Sequence, residues 1–296
     1  MKRIKDIIIN FINGFCMALA DSVPGVSGGT VAFLLGFFDN FINSLDDLFR
    51  GSFEKKKKAL IYLIKIGIGW VVGFLSSATI LSGLFTTKIY AMSSLFIGFI
   101  IFAIPLVIKE EMKSIKENYK NIIFGILGIL LVVAITLLTT NTALNINIAN
   151  PNLFTYFYCF VAGSIAITAM ILPGISGSTL LLVFGLYIPI MNAVKEVIHL
   201  NLSSLPILIV FAFGILSGII FFTKLIRIGL KKHRSKIVYF IIGMMIGSIY
   251  SILMGPTTLE VPLPMMTFKT FDIIFFILGA IIIYCLEFLK SFMNKK

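Results

Sequence analysis

The sequence predicts an all-α, polytopic membrane protein made of two inverted-topology repeats, each a re-entrant helical hairpin followed by three transmembrane helices. Composition is the first reason. The 296 residues are 58% apolar and 13% charged, with a mean hydropathy of +1.04, whereas a soluble domain holds about 25% charged residues and less than half apolar ones. Apolar runs that approach or meet the roughly 20 residues needed to cross a bilayer recur from end to end. Finally, a Pro-Gly-x-Ser-Gly motif occurs twice, half a chain apart. No stretch is long and polar enough for a separate soluble domain, which excludes a receptor head, a nucleotide-binding module or a kinase.

The elements follow in order. In residues 1–145 an apolar segment at 6–48 is broken in its middle by the first motif, and spans follow at 60–83, 90–108 and 121–139. In residues 146–296 the second motif breaks the segment 153–198, and spans follow at 205–223, 237–254 and 271–289. The pieces flanking each break are short for a comfortable crossing, so each broken segment reads as a hairpin that dips to mid-depth and returns. The charge pattern alone is equally compatible with a hairpin that crosses twice. Met1-Lys2-Arg3, an apolar run and Ala18-Leu19-Ala20 imitate a cleavable signal peptide. Asn10 and Asn13 weaken that reading, and the apparent cleavage point lies inside a motif that recurs mid-chain, so no cleavage is expected.

Duplication is legible residue by residue. Residues 20–30 read ADSVPGVSGGT and 169–179 read AMILPGISGST, an offset of 149. The same offset pairs Gly14 with Gly163, Gly36 with Gly185 and Asn43 with Asn192, and it drifts only slightly where Gly73 meets Gly218 and Gly128 meets Gly279. Such self-similarity marks two homologous halves, and three full spans per half turn the second upside down, the arrangement of alternating-access carriers.

Positive charge fixes the orientation. Lys2, Arg3 and Lys5, then Arg50 and Lys55–Lys58, then Lys109, Lys113, Lys116 and Lys120 fall on one side. So do Lys224, Arg227, Lys231, Lys232, Arg234 and Lys236, and finally Lys290, Lys295 and Lys296, which makes 21 of 25 basic residues. Both termini are therefore expected to be cytoplasmic. In a soluble protein a net charge of +12 would suggest nucleic acid; at the ends of apolar runs it sets topology and touches anionic lipid, and no nucleic-acid partner is expected. Cys16, Cys159 and Cys285 sit singly in apolar segments and read as buried, reduced thiols. With His199 and His233 as the two histidines, no metal centre and no cofactor are expected.

The motif carries chemistry. Proline ends the incoming helix, Gly25, Gly28 and Gly29 allow the backbone to turn with its amides exposed, and Ser27 and Thr30 offer hydroxyls or a helix cap. Donors gathered at a helix N-terminus suit an anion, phosphate above all. Leu172-Pro173-Gly174-Ile175-Ser176-Gly177-Ser178-Thr179 supplies the same from the other half. A single such break is more often a kink or a close helix contact; two matching copies favour a binding site. Asp21 is costly at depth, on the order of 3 kcal/mol. It reads as a cap on the loop amides, a protonatable coupling group, or a gate competing with a substrate anion, and Met170 replaces it in the second copy.

Other polar residues read more plainly. Lys65 snorkels to the interface, while Lys224 and Arg227 either receive an anionic headgroup or anchor topology. Asp39, Asp46, Asp47 and Lys55–Lys58 look like a solvated hairpin exit, and Trp70 a lipid-facing or packing residue. There is no P-loop, HExxH or GxSxG, and no base lies at plausible spacing from the motif serines, so an enzyme is not expected.

ADSVPGVSGGT with the following FLLGFFDN, and AMILPGISGSTLLLVFGLY, resemble the two signatures of the bacterial polyprenyl-phosphate translocases, long catalogued as a membrane domain of unknown function. The resemblance covers essentially the whole chain. It implies a flippase of the bacterial cytoplasmic membrane that returns undecaprenyl phosphate from the outer to the inner leaflet for cell-envelope synthesis. The implied headgroup site is Asp21, Pro24, Gly25, Ser27, Gly28, Gly29 and Thr30 with Pro173, Gly174, Ser176, Gly177, Ser178 and Thr179. The segment FFTKLIRIGLKKH is similar to a stretch of that family where arginine is usual; Lys224 stands here, which puts a bidentate guanidinium–phosphate contact there in question. Two alternatives stay open: an ion-coupled carrier of a small anionic solute, and a membrane scaffold without transport. Oligomeric state and driving force are not legible.

Overall fold

A computed structural model describes residues 2–21, 27–116, 118–141, 151–174, 177–258 and 262–294, and the regular structure among them is helical. The first half contains α1 (Lys2–Asp21), α2 (Gly28–Leu34), α3 (Phe38–Arg50), α4 (Phe53–Thr87), α5 (Ile89–Glu110), α6 (Met112–Lys116) and α7 (Ile122–Asn141). The second contains α8 (Leu153–Ile171), α9 (Gly177–Val183), α10 (Tyr187–Ile198), α11 (Leu205–Lys232), α12 (Arg234–Met254) and α13 (Ile273–Asn294). Among the described residues six stretches are long and apolar enough to cross a membrane, and they lie on α4, α5, α7, α8, α11 and α12. On α13 the apolar stretch is shorter, Ile273–Phe288. This is a multi-pass, all-helical membrane protein.

The hairpin arms differ from the expected pair of short pieces. Incoming helices α1 and α8 hold 20 and 19 residues, about 30 Å each at 1.5 Å per residue, and α8 is long enough to cross. The return arm is the interrupted one. Helices α2 and α9 have seven residues each and stop at Gly36 and Gly185, where φ is +74° and +64°. A left-handed residue ends an α-helix, and glycine adopts it without a Cβ clash. Each return arm therefore turns once more, into α3 or α10.

Glycines let the helix pairs close. Lipid tails are as apolar as leucine, so membrane helices associate through close van der Waals contact at small residues. Along α1 and α4, a Cβ on Gly14 would lie 1.9 Å from the Ile66 carbonyl oxygen, and one on Gly69 would lie 2.0 Å from that of Phe11. The α8–α11 pair carries the same contacts: Gly163 against Phe211 at 2.8 Å and Gly214 against Phe160 at 2.2 Å. The other long helices pair between halves, α5 with α13 through Gly98 and Gly279, and α7 with α12 through Gly128 and Gly243.

At the centre lies α2, buried at every position, in a core with Phe38, Ile42, Ile100, Ala103, Met244 and Met245. The outer faces are apolar too. Leu60, Ile64, Ile68 and Val71 on α4, and Ile274, Ile277 and Ile281 on α13, are exposed; a belt of this kind is matched by lipid rather than water. Cys285 lies exposed on α13, unlike the buried thiol expected, while Cys159 is buried and Cys16 half-buried, and all three are free.

The glycine contacts predict a sharp contrast. Gly214→Val should destabilise the purified protein by about 1–3 kcal/mol through overpacking. Gly67→Ala, where nothing lies within 4 Å of the added carbon, should be neutral or stabilising by up to about 1 kcal/mol. Thermal unfolding in detergent measures both.

Candidate functional site: two helix breaks in contact

An interrupted helix in hydrocarbon strands backbone donors and acceptors that water cannot reach, and each must find a partner inside the protein. Here the two breaks partner each other. The Ser27 hydroxyl donates to the carbonyl of Leu172 at 2.8 Å, the residue that ends α8. The amide of Gly174 donates back to the Thr30 hydroxyl at 3.0 Å. Ser27 and Thr30 are almost wholly buried, at 0% and 2% exposure.

Local geometry prepares this contact. Ser27 caps α2 with extended backbone, and its oxygen accepts from the Thr30 amide at 3.3 Å. Gly29 is a glycine because of the neighbouring chain: a Cβ there would sit 2.3 Å from the carbonyl oxygen of Ile171. Gly174 has φ +92° and passes so close to Met244 that a Cβ would lie 2.6 Å from its carbonyl carbon. Pro173 and Gly177 are buried beside it. Pro24, Gly25 and Ser176 lie outside the described residues, as do the side chains of Ser178 and Thr179.

Asp21 closes the first break. Its carboxylate accepts from the Gly28 amide at 2.6 Å and from the Trp70 indole Nε1 at 2.9 Å. A carboxylate at the C-terminus of α1 opposes that helix dipole, so two donors aimed at it are a physical requirement. Trp70 is thus more than the lipid-facing or packing residue expected. It stacks on Phe74 at 5.1 Å and reaches across from α4 to hold Asp21. Its position beside Gly69, at the closest α1–α4 approach, was the available signal. In the second half Met170 stands for Asp21 and packs over Gly177, whose Cβ would lie 2.3 Å from Met170 Cγ. At the offset relating Gly69 to Gly214, Ile215 replaces Trp70. The acceptor and its indole donor are lost together.

The cationic candidates lie elsewhere. Lys65 pairs with Asp6 near the start of α1, and Lys224 is exposed. Arg227 is engaged: its Nη1 donates to Asp46 at 2.6 Å and to Asp47 at 2.7 Å. Asp46 also takes a hydrogen bond from Arg50 at 2.5 Å and is only 6% exposed. Arg234 binds Glu111 through two nitrogens, at 2.5 and 2.9 Å, and Asp39 at 2.7 Å. The expected solvated hairpin exit is, for Asp39, Asp46 and Asp47, an ion-pair network tying α3 to α11 and α12. A carboxylate packed under neighbouring helices needs a guanidinium within reach, and the residue spacing along the chain gave no sign of partners 181 and 195 positions away.

Residues 17–270, which include both breaks, match the undecaprenyl phosphate translocase-like family. The chain belongs to that family. It is 34% identical over 253 residues to a polyprenyl-phosphate transporter of Staphylococcus aureus, covering 84% of this chain and 87% of the relative. It is 31% identical over 251 residues to one of Vibrio cholerae, covering 81% and 75% respectively. No solved structure matches.

The Asp21–Trp70 bond predicts coupling. Trp70→Phe should cost on the order of 1–2 kcal/mol when Asp21 is present and far less in an Asp21→Met background. A double-mutant cycle by thermal unfolding reads the difference.

Proposed function

We propose that this protein is a flippase that returns undecaprenyl phosphate, or a similar polyprenyl phosphate, from the outer to the inner leaflet of the bacterial cytoplasmic membrane. The observation that carries the reading is the meeting of two donor-rich breaks in the buried centre of an apolar bundle. Hydroxyl and amide donors of this kind bind phosphate oxygens well where water is excluded, and the polyprenyl tail stays in the lipid. Relatives named polyprenyl-phosphate transporters, similar over most of the chain, support the substrate class.

In this account the halves are inverted repeats, a reading supported by the twin α1–α4 and α8–α11 glycine contacts, and both termini are cytoplasmic. The described contacts are those of a closed state. The Ser27 hydroxyl is held by Leu172, the Gly174 amide by Thr30, and the Gly28 amide by Asp21. An entering phosphate takes over these donors, displaces the Asp21 carboxylate and separates the breaks. Rocking of the halves then exposes the headgroup to the opposite leaflet. Asp21 so acts as an internal anion that keeps the break satisfied when no lipid is bound. No bond of the lipid is made or broken, so the protein is a carrier and no enzyme.

In proteoliposomes, Ser27→Ala combined with Ser176→Ala should slow transbilayer movement of a polyprenyl phosphate at least tenfold, since each lost hydrogen bond to a charged group is worth about 1.5–3 kcal/mol. Unchanged movement, with normal expression and folding, would rule the site out.

A further inference from the structure

A basic cavity lies away from the breaks. At the turn between α11 and α12 an open cavity is lined by Lys232, His233, Ser235 and Lys236, with Asn118 and Asn121 facing them from the segment before α7. Arg234 also lines it, but its guanidinium is committed to Glu111 and Asp39. Committing that charge fixes the turn in place and leaves the ammonium groups of Lys232 and Lys236 as the cavity's positive charge. Asn121 donates to the Ser235 hydroxyl at 2.9 Å, which holds the two walls together. Lys236 lies 5.4 Å over the ring of Phe124, so its ammonium sits against α7 rather than ranging through solvent. No side chain caps the N-terminus of α12, which adds a positive dipole end to the same cavity.

Depth decides the ligand. Ile122 and Ile123, which follow Asn121 into α7, and Ile228, one turn before Lys232 on α11, are exposed apolar residues. Lys120 and Lys231 lie exposed at the same end. The cavity therefore stands where the apolar belt gives way to a basic rim, the level of lipid headgroups. Basic pockets between helices at that level take the phosphate of anionic lipids. The geometry points to a binding site for the phosphodiester headgroup of an anionic membrane phospholipid, held by Lys232 and Lys236 between α7, α11 and α12. The site is separate from the breaks and requires no transport to be occupied.

Native mass spectrometry of the full-length protein, titrated with phosphatidylglycerol or phosphatidylcholine, tests this. Wild type should retain phosphatidylglycerol preferentially. Lys232→Gln with Lys236→Gln should weaken that binding about tenfold or more, at about 1 kcal/mol per lysine. Ser235→Asp, which sets a carboxylate in the cavity, should produce the same loss. Lys56→Gln with Lys57→Gln removes equal charge from another exposed cluster and should weaken the preference far less. The assignment fails if wild type does not discriminate between the lipids, or if the Lys56/Lys57 variant loses as much. It fails equally if millimolar inorganic phosphate displaces the lipid, which would make the cavity a free-phosphate site.

Discussion

The structure depends on one exchange of hydrogen bonds. Breaking a helix in the apolar interior is costly unless the freed groups find partners. Ser27 with Leu172, and Gly174 with Thr30, solve this in common. Other features serve that exchange. Gly29 and Gly174 remove the side chains that would hold the two segments apart, Gly36 and Gly185 redirect the return arms, and the glycine-paired helices set the frame. Under the proposed function, the groups that make this contact are the ones that grip the headgroup.

The halves are similar in frame and unequal in chemistry. Their α1–α4 and α8–α11 contacts correspond, yet the first half holds Asp21 between an amide and an indole where the second has Met170 and Ile215. Ion pairs also bind α3 of the first hairpin to α11 and α12 through Asp46, Asp47 and Asp39. The first break thus holds a carboxylate where the second holds a thioether.

Much of this was legible in the sequence for clear reasons. The all-helical membrane class follows from apolar run length, and the repeated motif from glycine and proline positions that tolerate few substitutes. That the two motifs belong together followed from their shared offset. What was not legible depends on contacts between distant segments. The Asp21–Trp70 bond spans 49 positions and the Arg227–Asp46 pair 181; neither has a periodic signature, so Trp70 read as a packing residue and Asp46 as solvated. The second bend of each return arm was written in Gly36 and Gly185, but a glycine's φ follows from the packing around it and cannot be assigned from its identity alone.

The most direct test of the central contact is a reversible tether. With Cys16, Cys159 and Cys285 removed, Ser27→Cys and Leu172→Cys should crosslink under mild oxidation in the membrane. The double-cysteine protein, already slowed by loss of the Ser27 hydroxyl, should move a polyprenyl phosphate when reduced and not while crosslinked. Absence of the crosslink in folded protein, or full movement while it is intact, would contradict an account in which the two breaks meet and must part.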